Sequence, residues 1–162
     1  MVDYLRRVNR VKRISLVGWS AGGPRVGGYV SQHPDKAERV VLFAPPEPNP
    51  KLKDIPADPG SGAPTKIQSR QDLEQVKTPM LIVTGTLERP AARQRAYDHL
   101  TVRDKAFVLV ESASHFMNWE KQRHVLHAAS LEWLGHSRIN GRRGSSFAVD
   151  WNGHYSAITI KD

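Results

Sequence analysis

The run Ile14-Ser15-Leu16-Val17-Gly18-Trp19-Ser20-Ala21-Gly22-Gly23 constrains the fold more than any other segment. It begins as an apolar stretch of strand length and passes directly into a G-x-S-x-G turn that opens a helix. A chain that reverses so sharply between strand and helix holds its central residue in a strained backbone conformation. The flanking glycines fit that demand, because side chains at positions 18 and 22 are expected to meet neighbouring backbone. A serine acting only as a helix cap needs no glycine on both sides. Ser20 therefore reads as a nucleophile projected from the carboxyl end of a buried strand.

Strand-like and helix-like segments alternate through the rest of the chain, which is the pattern of a parallel α/β sheet. A short helix over residues 3–10, with Leu5 and Val8 inward, precedes the strand at 13–17. The helix over 21–33 accepts Pro24 in its first turn and ends at His33-Pro34. Residues 39–44 form a second strand, continuously apolar as expected when helices cover both faces. A loop rich in Pro, Gly and Asp runs from Pro45 to about residue 63, followed by a helix near 69–75. Strands at 78–85 and 106–110 bracket a helix over 91–100, and an amphipathic helix spans 119–134. Residues 141–146 read as a flexible link, and Asn152-Gly153 signals a tight β-hairpin between 147–151 and 154–160. The expected organisation is an α/β unit over residues 1–135 and a linker with C-terminal hairpin over 136–162.

Composition narrows the chemistry. The 162 residues suit one core, and no apolar stretch approaches the roughly 20 residues of a membrane helix. The early Asp3 and the lack of an apolar leader before the first strand give no indication of secretion, so the expected address is cytoplasmic. Zero cysteines removes thiol nucleophiles and thiolate metal sites, so a nucleophile must be an oxygen. The net charge of +8 is concentrated partly in Arg6, Arg7, Arg10, Lys12 and Arg13, and in Arg138, Arg142 and Arg143. Without an accompanying nucleic-acid motif this charge reads as a solvated face, and no nucleic-acid partner is expected.

The order strand, G-W-S-A-G-G, helix, R-V-V-L-F-A-P, proline-rich excursion, P-M-L-I-V-T-G, A-F-V-L-V and S-A-S-H-F resembles the C-terminal half of α/β-hydrolase fold esterases and lipases. The resemblance covers about residues 3–134. It implies a truncated α/β-hydrolase, with a mainly parallel sheet of about four strands, flanking helices and the C-terminal hairpin. It also implies a catalytic acid after the V-T-G strand and a histidine after the last strand, which here are Glu88 and His115. A serine hydroxyl needs a histidine to take its proton, and the imidazole needs a carboxylate to fix its tautomer. Glutamate is less usual than aspartate at the acid position. Glu47, after the second strand, is the reserve acid, whereas Asp54 and Asp58 have no strand end to fix them.

In such a site the Ala21 amide supplies one oxyanion donor, and Trp19 and Phe116 line the substrate region. The family's second donor comes from a loop after the third strand, which would lie upstream of Met1. The expected reaction is hydrolysis of small or short-chain carboxylic esters through an acyl-enzyme, with no cofactor and no metal ion. The triad alone leaves carbon-carbon bond hydrolysis open. Without the first half of the family sheet, the strand beneath the elbow is expected to expose an unpaired edge. A second copy of the chain, a partner chain or the C-terminal hairpin could cover it, with homodimerisation or hairpin capping preferred. The alternative reading is a weak or inactive half-domain that acts as an assembly module through that edge.

Overall fold

The computed structural model describes residues 1–46 and 70–158. Each apolar run of the sequence becomes a strand: β1 (Ile14–Trp19), β2 (Ala37–Phe43), β3 (Met80–Gly85) and β4 (Lys105–Val110). Two further strands, β5 (Ser146–Val149) and β6 (Tyr155–Ala157), complete a six-stranded sheet in the order β1-β2-β3-β4-β5-β6. β1 to β5 are parallel, and β6 returns antiparallel to β5. The helices are α1 (Val2–Val8), α2 (Gly22–Gln32), α3 (Arg70–Gln75), α4 (Pro90–Asp98) and α5 (Arg123–His136). Among the described residues no helix is long and apolar enough to cross a membrane.

Side-chain alternation along the central strands divides the core into two layers. Val40 and Leu42 of β2 and Met80 and Ile82 of β3 face Val30 of α2, Leu73 of α3 and Ala96 and Tyr97 of α4. Val41, Leu81, Val83, Val108 and Val110 point the other way, onto Val125, Leu126, Ala129 and Trp133 of α5. Both faces of the middle strands are thus dry, which explains their unbroken apolar sequence. Strands of equal direction and matched register all end at one edge. Gly85 of β3 pairs with Val110 of β4, and Phe43 of β2 lies opposite both Trp19 and Val83.

The structure corrects four local expectations. Leu5 and Val8 are not inward, for α1 buries none of its residues. Its contacts outward are polar instead: Asp3 accepts from Lys36 at 2.9 Å, and Arg6 Nε donates to the Lys12 carbonyl. The helix expected from residue 119 begins at Arg123, because residues 116–123 coil through tight turns, with Trp119 N–H donating to the Phe116 carbonyl and Arg123 N–H to that of Glu120. The stretch read as a link over 141–146 begins in a turn pinned to α5, where the Glu132 carboxylate accepts from the Asn140 and Gly141 amides, and ends at Ser146 in β5. Finally, the hairpin turn is longer than two residues. Val149 pairs with Tyr155, and the Asp150 carboxylate closes the connection by accepting from the Asn152 and His154 amides, with Gly153 at a φ of 87°.

The hairpin also lies at the far end of the sheet from β1. It extends the core past β4 and does not cover the elbow strand. Among the described residues β1 has a neighbour only in β2, and its Val17 is 55% exposed although it shares a face with buried Val41.

Two outcomes follow from the packing. Trp133 is fully buried in the α5 layer, so Trp133→Ala should lower stability by about 3–5 kcal/mol in urea unfolding. The Asp150 carboxyl is held below its usual range, first by the His154 amide and then by the His154 side chain and the Asn152 amide. A depressed carboxylate contributes order that is present above its unfolded value and lost as pH falls through the folded one. The His154 amide should therefore lose hydrogen-exchange protection below about pH 4, and Asp150→Asn should lose that pH dependence.

Candidate active site

Ser20 follows β1 with a φ of 50°, a left-handed conformation that costs energy in a non-glycine residue. Its amide donates to the Phe43 carbonyl at 3.1 Å, and its carbonyl accepts from Gly23 at 2.8 Å, which fixes the reversal from both sides. Gly18 has the crowding expected of it: a Cβ there would lie 2.8 Å from the Gly22 carbonyl oxygen. Gly22 does not, since nothing lies within 4 Å of its missing Cβ. The second tight approach belongs to Gly23, where a Cβ would meet Pro45 Cβ at 2.8 Å. Ala21 stands at the N-cap of α2, so its amide lies at the positive end of that helix.

Glu88 lies in the turn after β3, and His115 in the loop after β4. Gly85 brings these loops together, because any Cβ there would overlap the Ala113 carbonyl, which itself accepts from Leu87 at 3.0 Å. Across this close approach His115 Nδ1 lies 2.8 Å from Glu88 Oε1. An ionised carboxylate can only accept, so Nδ1 is the donor in this contact, and in the neutral imidazole the lone pair then lies on Nε2. Oε1 also receives the Arg93 guanidinium at 3.4 Å, and Oε2 accepts from Thr84 Oγ1 at 3.2 Å. The Glu88 side chain is only 7% exposed, so the carboxylate is held in one orientation by three partners. Among the described residues no hydrogen bond joins Ser20 Oγ to His115.

Trp19 and Phe116 flank the histidine, with ring centres 5.7 and 5.4 Å from the imidazole. The Trp19 indole N–H donates to the His115 carbonyl at 3.1 Å, and its ring stacks on Phe43. A cleft of about 670 Å³ opens beside the pair, with Glu88, Arg89, Arg93, His115 and Phe116 in its wall. Four further residues that the sequence does not single out contact this group. Thr84 is read simply as a strand residue, and Arg93 lies one helical turn inside α4, where a basic residue looks solvated. Trp119 is assigned to a helix. Glu120 also falls there, yet its carboxylate turns back to accept from both the amide and the hydroxyl of Ser114, bracing the histidine loop. The only available signal is the local spacing from Glu88 and His115. Glu47, Asp54 and Asp58 lie outside the described residues.

No protein-family model and no curated protein matches the chain. Solved structures do. The dienelactone hydrolase of Anabaena variabilis superposes with a TM-score of 0.64 at 21% identity, over 83% of this chain and 55% of that one. The chain has the α/β-hydrolase fold. The monoacylglycerol lipase of Paleococcus ferrophilus is similar over 85% of this chain and 73% of its own, with a TM-score of 0.63 and 20% identity. The naproxen esterase of Bacillus subtilis follows, at 0.60 and 12%, over 80% and 62%. The chain thus spans between about half and three-quarters of these structures.

Within this α/β-hydrolase fold the β3 and β4 loops depend on one missing side chain. Gly85→Ala should force the two loops apart, lowering stability by about 1–3 kcal/mol in urea unfolding and abolishing the His115–Glu88 contact, as read by the imidazole NMR signals.

Proposed function

We propose that the protein is a serine hydrolase of carboxylic esters acting through an acyl-enzyme. The observation that carries this reading is the 2.8 Å contact between His115 Nδ1 and Glu88 Oε1, made at the sheet edge where Ser20 stands in its strained turn. His115 Nε2 takes the proton of Ser20 Oγ as that oxygen bonds to the ester carbonyl carbon, and the carbonyl electron pair moves onto oxygen. The Ala21 amide, at the start of α2, donates to that oxyanion. Collapse of the tetrahedral species breaks the bond to the alcohol oxygen, which leaves with the proton from His115. Water, deprotonated by the same nitrogen, then attacks the acyl carbon and releases the acid and Ser20.

Glu88 keeps the proton on Nδ1 throughout, and Thr84 and Arg93 keep Glu88 in place. Short acyl groups remain the proposed substrates, and the chemistry uses no cofactor or metal ion. Ser20→Ala and His115→Ala should each lower p-nitrophenyl acetate turnover by about 1000-fold or more, and Glu88→Gln by a comparable factor. Turnover that survives Ser20→Ala would refute the serine mechanism.

A second reading, an assembly module, is favoured by the free edge of β1 and the exposure of Val17. It takes the edge to be covered by a second copy or by a partner chain. It expects sedimentation of a species larger than the monomer, which Val17→Lys should dissociate. A monomer that hydrolyses esters would argue against it.

A further inference from the structure

Isolated exposed apolar residues need no explanation, but a contiguous cluster does. The largest aromatic side chains of the core are fully or almost fully buried, Trp133, Phe107 and Phe147 among them. Beside His115 the chain does the opposite. Phe116 is 55% exposed and Trp119 64% exposed, and the two meet at a ring separation of 6.1 Å. Both rest edge-on against Trp19, at 6.0 and 5.1 Å.

Trp19 is itself immobilised. It stacks on Phe43 at 5.9 Å with only 7° between the planes, and its N–H is bound to the His115 carbonyl. The Trp119 amide donates to the Phe116 carbonyl at 2.8 Å, and Glu120, the next residue, is held by Ser114. The result is a shelf of three rings in mutual contact, anchored at Trp19. Its members lie 5.4 Å (Phe116) and 5.7 Å (Trp19) from the imidazole, ring centre to ring centre.

We propose that this shelf is the leaving-group subsite and that it selects esters whose alcohol carries a flat aromatic ring. The inference rests on the hydrolase reading above. In that mechanism His115 hands its proton to the departing oxygen, so the alcohol portion must lie next to the imidazole and the acyl portion on the far side of Ser20. A planar ring one or two bonds beyond that oxygen reaches the shelf. There it can pack against preordered aromatic edges and faces without first ordering them. A saturated ring of the same size gains burial but not the aromatic geometry.

The test compares benzyl acetate with cyclohexylmethyl acetate, whose departing oxygens both sit on a methylene carbon, and the change in their ratio on substitution of Trp119 separates ring packing from the small difference in leaving-group acidity. The ratio of kcat/KM should be about 3–10 in favour of benzyl acetate. It should fall to about 1 in Trp119→Ala and be largely restored in Trp119→Phe. A ratio near 1 in the native protein, or one that Trp119→Ala leaves intact, overturns the proposal.

Binding supplies a readout independent of turnover. 2-Naphthylmethanol titrated into the protein should shift the Trp119 indole NMR signal saturably, and cyclohexylmethanol should not displace it. That result in a protein without esterase activity would sustain the shelf while removing the hydrolase reading. No shift, or an indole signal that responds only when a self-associated form is diluted apart, would assign the rings to another occupant and overturn the proposal.

Discussion

The closeness of the β3 and β4 loops is the constraint on which the site depends. Parallel register brings Gly85 level with Val110, and the absence of a side chain at Gly85 lets the Ala113 carbonyl settle against it. Only at that separation do an acid on one loop and an imidazole on the next meet at 2.8 Å. The strand pairing fixes the coarse distance, and the glycine sets the last ångström. The three partners of Glu88 then turn proximity into a single orientation, which matters more for a glutamate than for the shorter aspartate because of its extra rotatable bond.

The sheet explains why these loops can carry so much. Its middle strands are buried on both faces, between α2, α3 and α4 on one side and α5 on the other. Strand ends emerging from such a core are rigid platforms. The edge at β1 is the contrasting region: Val17 is exposed, and α1 buries none of its residues and meets the body of the fold through the exposed Asp3–Lys36 pair. The elbow thus stands on an edge strand with only one buried residue, whereas Glu88 and His115 follow the well-packed β3 and β4.

The strands and the elbow were legible because their signals are local and strong: continuous apolar runs and a glycine pattern that few other turns require. Glu88 and His115 were singled out by the family resemblance, as the residues placed after particular strands. What escaped the sequence was set by tertiary contact. The α5 start moved to Arg123 because Glu120 folds back on Ser114, an interaction that helical periodicity does not reveal. Asn152-Gly153 announced a turn, but the Asp150 carboxylate decided its length. Which edge the hairpin would join was decided by β4, whose register accepts β5 directly. Arg93 and Trp119 carried no signal of their own in the sequence, and only the fold places Arg93 on Glu88 and Trp119 against Trp19.

The central claim is that this sheet edge activates Ser20 as a nucleophile. It is tested most directly by treating the folded protein with a fluorophosphonate and reading its intact mass, since phosphonylation needs an activated serine and no knowledge of the substrate. The account predicts one added phosphonyl group, located on Ser20 and absent from Ser20→Ala and His115→Ala. A well-folded protein that stays unlabelled, or label that persists in Ser20→Ala, would contradict it.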